Sequence, residues 1–418
     1  MQIQIEKFLN NGYGLARMPD GAIVFVKNAL PGETVDLDDQ TLTRKKGVFW
    51  AETFQLEMPS VSRTQPDCLH GRDCGGCATL HIRSEDELAL KAQAISDNLK
   101  RLAQWKGVEL ECYDFPRDAS RYRGKFHANG TFLGWKKAGS NQLIRIGECR
   151  VLPKSLQNIL SPLQERIAKI SFSGEIYFAV HPETQQVLLG FQGTARDPKA
   201  LATLCQQEGI AGISFSGAKG NARLNWGKKF LNVSWPPFQV AVEASQFFQS
   251  NPKSWATFQN LLRDYLETHQ PVKIWDVHAG SGFLTSGLCG HQVVATEPDK
   301  KAFAQLRSNL NRLGWSHMAF NQSAETAISQ AVFDWSDLHG AILDPPRIGL
   351  SKPFREWCIH SGPPSMLYFS CDLGTFSRDL AALGRAYQPV GKLRVLNVNP
   401  GTLRAEYAVI LVRQPKSP

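Results

Sequence analysis

The sequence predicts an α/β protein whose C-terminal part is a doubly wound sheet, preceded by a small N-terminal β-barrel and a β-rich middle. Three observations carry this. From about residue 236 apolar strand patterns alternate with helical ones, as in parallel βαβ units. Residues 1–58 instead hold short β-type runs at nearly even spacing, separated by turn residues. A chain of 418 residues also exceeds one ordinary domain. The organisation reads as 1–58, 59–235 and 236–418.

An apolar fraction of 42% and a charged fraction of 20% are those of a globular protein. No apolar run reaches the length of a membrane span, and the N-terminus lacks the pattern of a signal peptide. A cytoplasmic location is therefore expected, with the nine cysteines reduced. Clustered thiols then point to metal or catalysis rather than disulfides. The net charge of +9 biases the chain toward a polyanion such as RNA.

In the first domain, runs at 3–8, 22–26, 33–37 and 47–51 are separated by Asn10-Asn11-Gly12, Pro19-Asp20-Gly21 and Pro31-Gly32. Gly12-Tyr13-Gly14, Phe25-Val26-Lys27 and Leu30-Pro31-Gly32-Glu33 resemble the TRAM domain, an oligonucleotide-binding-type barrel. That resemblance implies RNA contact; the plainer reading is a structural β-module.

The second domain opens on Cys68, Cys74 and Cys77, with Gly75 and Gly76 between the last two. Three thiols in ten residues rarely occur without a shared ligand, and the glycines let the backbone fold tightly around it. A fourth thiolate is needed, from Cys112 or Cys149. Cys149 is preferred because it follows a strand-like stretch and precedes Pro153. Spacing alone fits zinc and iron–sulfur equally.

A helix is expected over 84–105, with Ser84 as N-cap and Glu85, Asp86 and Glu87 in its first turn. Leu88, Ala92, Ile95, Leu99 and Leu102 recur at helical spacing as a packing face. Strands are expected at 126–135, 174–180, 186–191 and 212–215. Residues 120–127 interleave Arg121, Arg123 and Lys125 with Tyr122 and Phe126, which suits phosphate and base contacts or an ordinary solvated strand edge.

In the third domain, 271–282 reads as a strand ending near Asp276, then a Gly280-Ser281-Gly282 turn opening a helix. The next strand ends at Glu297, an acid suited to ribose hydroxyls. The turn lacks the third glycine of the dinucleotide fingerprint, which favours S-adenosylmethionine. A further strand ends at Asp344, stiffened by Pro345 and Pro346. Cys371 ends the apolar run 365–369, and Glu406 starts the last strand. Alone, Cys371 reads as a buried small hydrophobe. With Asp344 and Glu406 beside it, it becomes a candidate nucleophile that Arg347 or Arg378 could help ionise.

Phe247-Phe248-Gln249-Ser250-Asn251, Asp344-Pro345-Pro346-Arg347, Ser370-Cys371 with Thr375 and Arg378-Asp379, and Pro400 and Thr402 before Glu406, together with the four cysteines, resemble the RNA uracil-5 methyltransferase family. The likeness spans nearly the whole chain. It implies a Rossmann-like S-adenosylmethionine-dependent methyltransferase domain that makes 5-methyluridine. By that likeness Cys371 is the nucleophile and Glu406 the base, while Gln249, Asp276, His278, Gly280, Gly282, Glu297 and Asp344 line the methyl-donor site. Cys68, Cys74, Cys77 and Cys149 would hold a [4Fe-4S] cluster, and the 84–105 helix would pack on the methyltransferase domain.

Members with an N-terminal barrel and a cluster are more like the large-subunit rRNA enzymes, so rRNA is expected before tRNA as partner, and the chain as a monomer. Four positions depart from the family: Asp372-Leu373 replaces Asn-Pro, Arg404 replaces His, Phe283 follows the Gly-x-Gly, and His278 replaces an aromatic. They leave a second reading, an RNA-binding protein or chaperone without turnover. Methylation of an adenine amino group is disfavoured by the thiol and by Arg347 after the prolines.

Overall fold

Period-two burial along β1 (Gln2–Phe8) turns Ile3 and Ile5 inward, and a bulge between Ile5 and Lys7 lets Phe8 rather than Lys7 follow them. This is a computed structural model, and it describes residues 1–103, 105, 108–218, 223–235, 238–314 and 319–415. After β1 come β2 (Tyr13–Arg17), β3 (Ile23–Lys27), β4 (Thr34–Asp36), β5 (Thr43–Lys45), β6 (Val48–Ala51) and β7 (Gln55–Met58). They form one seven-stranded sheet in the order β5-β6-β3-β2-β1-β4-β7. Ile3, Ile5, Val24, Val26, Val35 and Ala51 make its core. β2, β5 and β7 were not legible as apolar runs, because each is short and polar or glycine-containing.

The helix expected over 84–105 is α1 (Ser84–Asn98) followed by a π-helical turn at Leu99–Ala103; Gln104 lies outside the described residues. Ser84 is not the cap: it is the first helical residue, and Arg83 before it makes no side-chain cap bond. Leu102 is 43% exposed, because the wider π turn breaks the 3.6-residue phase and turns Ala103 inward instead. Leu88, Ile95, Leu99 and Ala103 pack into the same core as Trp275, Tyr368, Leu380 and Val395 of the C-terminal domain. β8 (Leu110–Tyr113) continues this attachment, pairing parallel to a C-terminal strand. α1 and β8 thus belong in space with the third domain rather than with the middle one.

The middle domain holds β9 (Arg123–Asn129), β10 (Leu133–Lys136), β11 (Leu143–Arg145), α2 (Lys154–Asn158), α3 (Leu160–Lys169), β12 (Ser173–Val180), β13 (Val187–Thr194), β14 (Ile210–Gly217) and β15 (Arg223–Gly227). Its sheet runs β11-β10-β9-β12-β13-β14-β15. The single strand expected over 126–135 is a hairpin. Asn129 folds the turn by accepting from the N–H groups of Thr131 and Phe132, each at 3.2 Å, and Gly130 takes φ +92°. A separate hairpin of β16 (Leu231–Trp235) and β17 (Phe238–Val242) follows; residue 236, the expected boundary, lies outside the described residues.

The C-terminal domain contains α4 (Trp255–His269), β18 (Lys273–Val277), β19 (Gln292–Thr296), α5 (Lys300–Asn311), β20 (Ala319–Phe320), α6 (Ala324–Ser329), β21 (Gly340–Leu343), α7 (Lys352–Ser361), β22 (Ser365–Ser370), α8 (Leu373–Leu383), β23 (Tyr387–Leu396) and β24 (Glu406–Arg413). Its sheet order is β20-β19-β18-β21-β22-β24-β23-β8. β18 is flanked by β19 on one side and β21 on the other, so the chain reverses its direction of winding there. Such a switch point leaves a crevice at the strands' C-terminal ends. All six residues of β22 are buried, as a strand covered on both faces requires. The helix expected after the glycine turn is only a 3-10 segment, Thr285–Leu288. No helix among the described residues is long and apolar enough to cross a membrane.

Candidate active site and cysteine cavity

Strand register assembles the site. Val277 pairs with Leu343, Leu343 with Tyr368, and Ser370 with Tyr407. The residues just beyond these pairs, His278, Asp344, Cys371 and Glu406, therefore come out side by side at one edge of the sheet. The Asp344 N–H reaches the Val277 carbonyl at 3.5 Å. β24 runs antiparallel to β22, so Glu406 sits opposite Cys371 although 35 residues separate them in sequence.

The electrostatics of this crevice are those of crowded, desolvated acids. Burial pushes Glu406 up to about 8, with Asp344 adding to the effect and Arg404 and Arg347 opposing it. Burial alone lifts Asp344 to about 7. The Cys371 thiol is pushed up to about 12, first by burial and then by the charges of Glu406 and Asp344, against Arg347 and Arg404. Arg347 and Arg404 are thus the cations that favour a thiolate. Arg378 is not one of them: its guanidinium donates to Asp379 and to the Ile348 and Leu350 carbonyls. Asp379 is fully buried and also takes the Tyr368 hydroxyl and the Leu350 N–H, each at 2.8 Å. It ties the loop carrying Asp344 and Arg347 to β22 and α8. Gly349 is required within that loop, because at φ +71° a Cβ would stand 2.5 Å from Asp379 Oδ2.

Beside this edge, burial lifts Asp276 to about 7. Its Oδ2 accepts from the Thr285 hydroxyl at 2.5 Å, while its buried Oδ1 has no partner among the described residues. An orphaned buried acceptor needs a donor from a ligand. Glu297 fixes the turn, accepting from Gly280 N–H at 2.9 Å and Asp299 N–H at 2.7 Å, and burial raises its pKa. Gly280 and Gly282 take φ +57° and +90°. A Cβ at Gly280 would point into open space, so the backbone there is free for close approach. Ser281 binds the Phe247 carbonyl at 3.0 Å, joining the turn to the segment that carries Gln249. Gln249 is buried, and its carbonyl accepts from Trp255 Nε1 at 3.0 Å. His278 is partly buried at φ +61°, and burial lowers its pKa. These donors, acceptors and acids suit a cationic, hydroxyl-bearing ligand such as S-adenosylmethionine.

Two departures from the family pattern have local explanations. Asp372 caps α8, accepting from Thr375 N–H at 2.9 Å, a task asparagine also performs. Phe283 packs edge-on against Trp255 and Phe258, with ring centroids 5.7 and 6.4 Å apart.

Cys68, Cys74, Cys77 and Cys149 line one cavity, walled by Leu80, Trp135, Ile146 and Val151. Burial is the main cause that raises the thiols of Cys74, Cys77 and Cys149. The Gly76 N–H points at Cys74 Sγ from 3.3 Å. Cys112, the other candidate, is exposed on β8 away from this cavity. Among the described residues no three His, Cys, Asp or Glu side chains are arranged to hold a single metal ion.

One buried feature escaped sequence reasoning. Glu87 and Lys91 form an ion pair at 2.6 Å with each side chain 4% exposed. The signal was present: Lys91 falls on the same helical stripe as Leu88 and Ile95.

The topology and crevice define the S-adenosylmethionine-dependent methyltransferase fold. The structure is similar to a Pyrococcus abyssi tRNA (uracil-54, C5)-methyltransferase bound to S-adenosyl-L-homocysteine, with a TM-score of 0.76 at 21% identity over 99% of this chain and 100% of that one. No family model matches the chain. In sequence it is 24% identical to an uncharacterized RNA methyltransferase of Aquifex aeolicus, covering 98% of both chains. It is 26% identical to the 23S rRNA (uracil(1939)-C(5))-methyltransferase RlmD of Aeromonas hydrophila, over 94% of this chain and 92% of that one. Over nearly its whole length the chain is similar to RNA methyltransferases, uracil-C5 enzymes among them.

Proposed function

We propose that the protein methylates C5 of a uridine in 23S rRNA through a covalent adduct on Cys371. The observation that supports it best is the β22–β24 register, which sets a thiol and a carboxylate opposite each other beside Asp344. The names of the bacterial relatives favour rRNA over tRNA.

S-adenosylmethionine supplies an electrophilic methyl group, with Gln249, Asp276, His278, Gly280, Gly282, Glu297 and Asp344 as the residues that would hold it. The Cys371 thiolate adds to C6 of the uracil, and the C5–C6 π electrons move toward O4 as an enolate. C5 then forms a bond to the methyl carbon, and S-adenosylhomocysteine remains. Glu406 takes the C5 proton, the C5–C6 double bond re-forms, and the thiolate leaves. One methyl group is gained and one proton lost from the base. The target uridine must leave its stack to reach this crevice.

The decisive experiment uses 5-fluorouridine RNA with S-adenosylmethionine. Fluorine at C5 cannot be removed as a proton, so a denaturant-stable protein–RNA adduct is expected, and Cys371→Ala must abolish it. RNA binding without any adduct would favour the non-catalytic RNA-binding reading.

The N-terminal sheet acts in this reading as a TRAM-type RNA-contacting module. In the same reading Cys68, Cys74, Cys77 and Cys149 hold a [4Fe-4S] cluster, which four thiols lining one largely apolar cavity support. Protein purified without oxygen should carry about four irons and absorb near about 400 nm, and Cys149→Ser should lose both. Stoichiometric zinc in place of iron would refute the cluster.

A further inference from the structure

The Lys91 ammonium uses its three protons on Glu87 Oε1 at 2.6 Å, Asn397 Oδ1 at 2.6 Å and the Arg404 carbonyl at 3.1 Å. Both Glu87 oxygens accept from the Gly401 N–H at 3.0 Å. All of these bonds except the one between the pair land on the loop between β23 and β24. Where they land matters. Leu396 is the cross-strand partner of Glu406, and Asn397 is the residue after it. Arg404 lies two residues before Glu406. Lys91 therefore grips the two strands at the hairpin mouth from which Glu406 emerges.

From its other side the loop is held by the cysteine segment. The N–H groups of Ala78 and Thr79 both donate to the Gly401 carbonyl, at 2.8 and 3.1 Å. Gly401 itself takes φ +83°, and a Cβ there would meet Arg117 Cδ at 3.0 Å. Asn397 is fully buried and also donates to Asp114 Oδ1 at 2.8 Å.

A buried ion pair is a poor way to gain stability, because desolvating two charges offsets most of their attraction. Well-packed apolar residues at positions 87 and 91 would hold α1 in place about as well. What they could not do is fix the 397–404 loop by charged hydrogen bonds of defined direction.

We propose that Glu87 and Lys91 are positioning residues for Glu406, holding its loop so that the carboxylate faces the C5 proton of the methylated adduct. The role rests on the mechanism given above and concerns only its last step.

That restriction makes the test sharp. Lys91→Met keeps the length of the side chain and removes the charge. It should form the 5-fluorouridine adduct at within about twofold of the wild-type level, because addition and methyl transfer precede proton removal. On natural uridine RNA its turnover should fall about 10- to 100-fold, with a denaturant-stable adduct accumulating. Glu87→Gln, which keeps one acceptor oxygen, should show the same pattern more weakly and decides the matter if Lys91→Met does not fold. Unchanged turnover on natural RNA, or equal losses in both assays without accumulation, overturns the positioning role. A wild-type protein that forms no 5-fluorouridine adduct overturns the mechanism itself, and this role with it.

Discussion

Glu406→Gln should stop turnover on natural RNA while leaving the first two chemical steps almost intact. The amide is nearly isosteric, so the loop and the partners of β24 are kept, but it cannot accept the C5 proton. Methylated RNA should then remain joined to Cys371, visible as a slow-migrating band under denaturing conditions and as a mass increment of RNA plus one methyl group. Loss of a general base costs about 10²–10⁴-fold. Turnover within about tenfold of wild type would mean that another group takes the proton, and Glu406 would lose its assigned role. The same accumulation, in milder form, is the signature expected of Lys91→Met.

Thermal stability of the protein without methyl donor should fall as pH rises from about 5 to 8. Asp276 and Asp344 are raised to about 7 and Glu406 to about 8, each chiefly by burial. A raised carboxyl binds its proton more tightly in the folded chain than in the unfolded one. Its contribution is complete below the ordinary carboxylate range and is lost as pH climbs through the folded value. Above that point three anions share one desolvated crevice. S-adenosylmethionine brings a sulfonium cation there, whereas S-adenosylhomocysteine has a neutral sulfur. The extra Tm increase from the cationic ligand should therefore widen between pH 6 and pH 8. A difference independent of pH would mean that these acids do not face the sulfonium. Asp344→Asn should flatten the fall, since it removes one of the three charges.

Much of the crevice was legible because its residues sit at the ends of unmistakable strands. Cys371 follows six consecutive buried positions, and Asp344 follows four. The pairing of Glu406 with Cys371 depends on one antiparallel strand inserted between β22 and β23, and strand order is a long-range property that local pattern does not carry. Arg378 shows the complementary error. Proximity in sequence made it a candidate partner for the thiol, but its guanidinium is engaged by Asp379 and by the Ile348 and Leu350 carbonyls. Leu102 was misassigned for a local reason, since a π turn leaves no mark in apolar spacing. The buried Glu87–Lys91 pair was missed, although Lys91 is a charged intrusion on an apolar stripe, and its meaning required the loop that folds over it.

The attachment of α1 and β8 to the C-terminal sheet also bears on how this chain can be made. Leu110 pairs with Leu393, so the β8 segment waits for a partner that is synthesised 283 residues (393 − 110) after it. Until then the apolar stripe of α1 has no native surface to cover it, and nascent chains of this length are exposed to chaperones and to aggregation. A fragment beginning near residue 238 would lack an edge strand and a core helix, and the unpaired edge of β23 would be free to capture another copy.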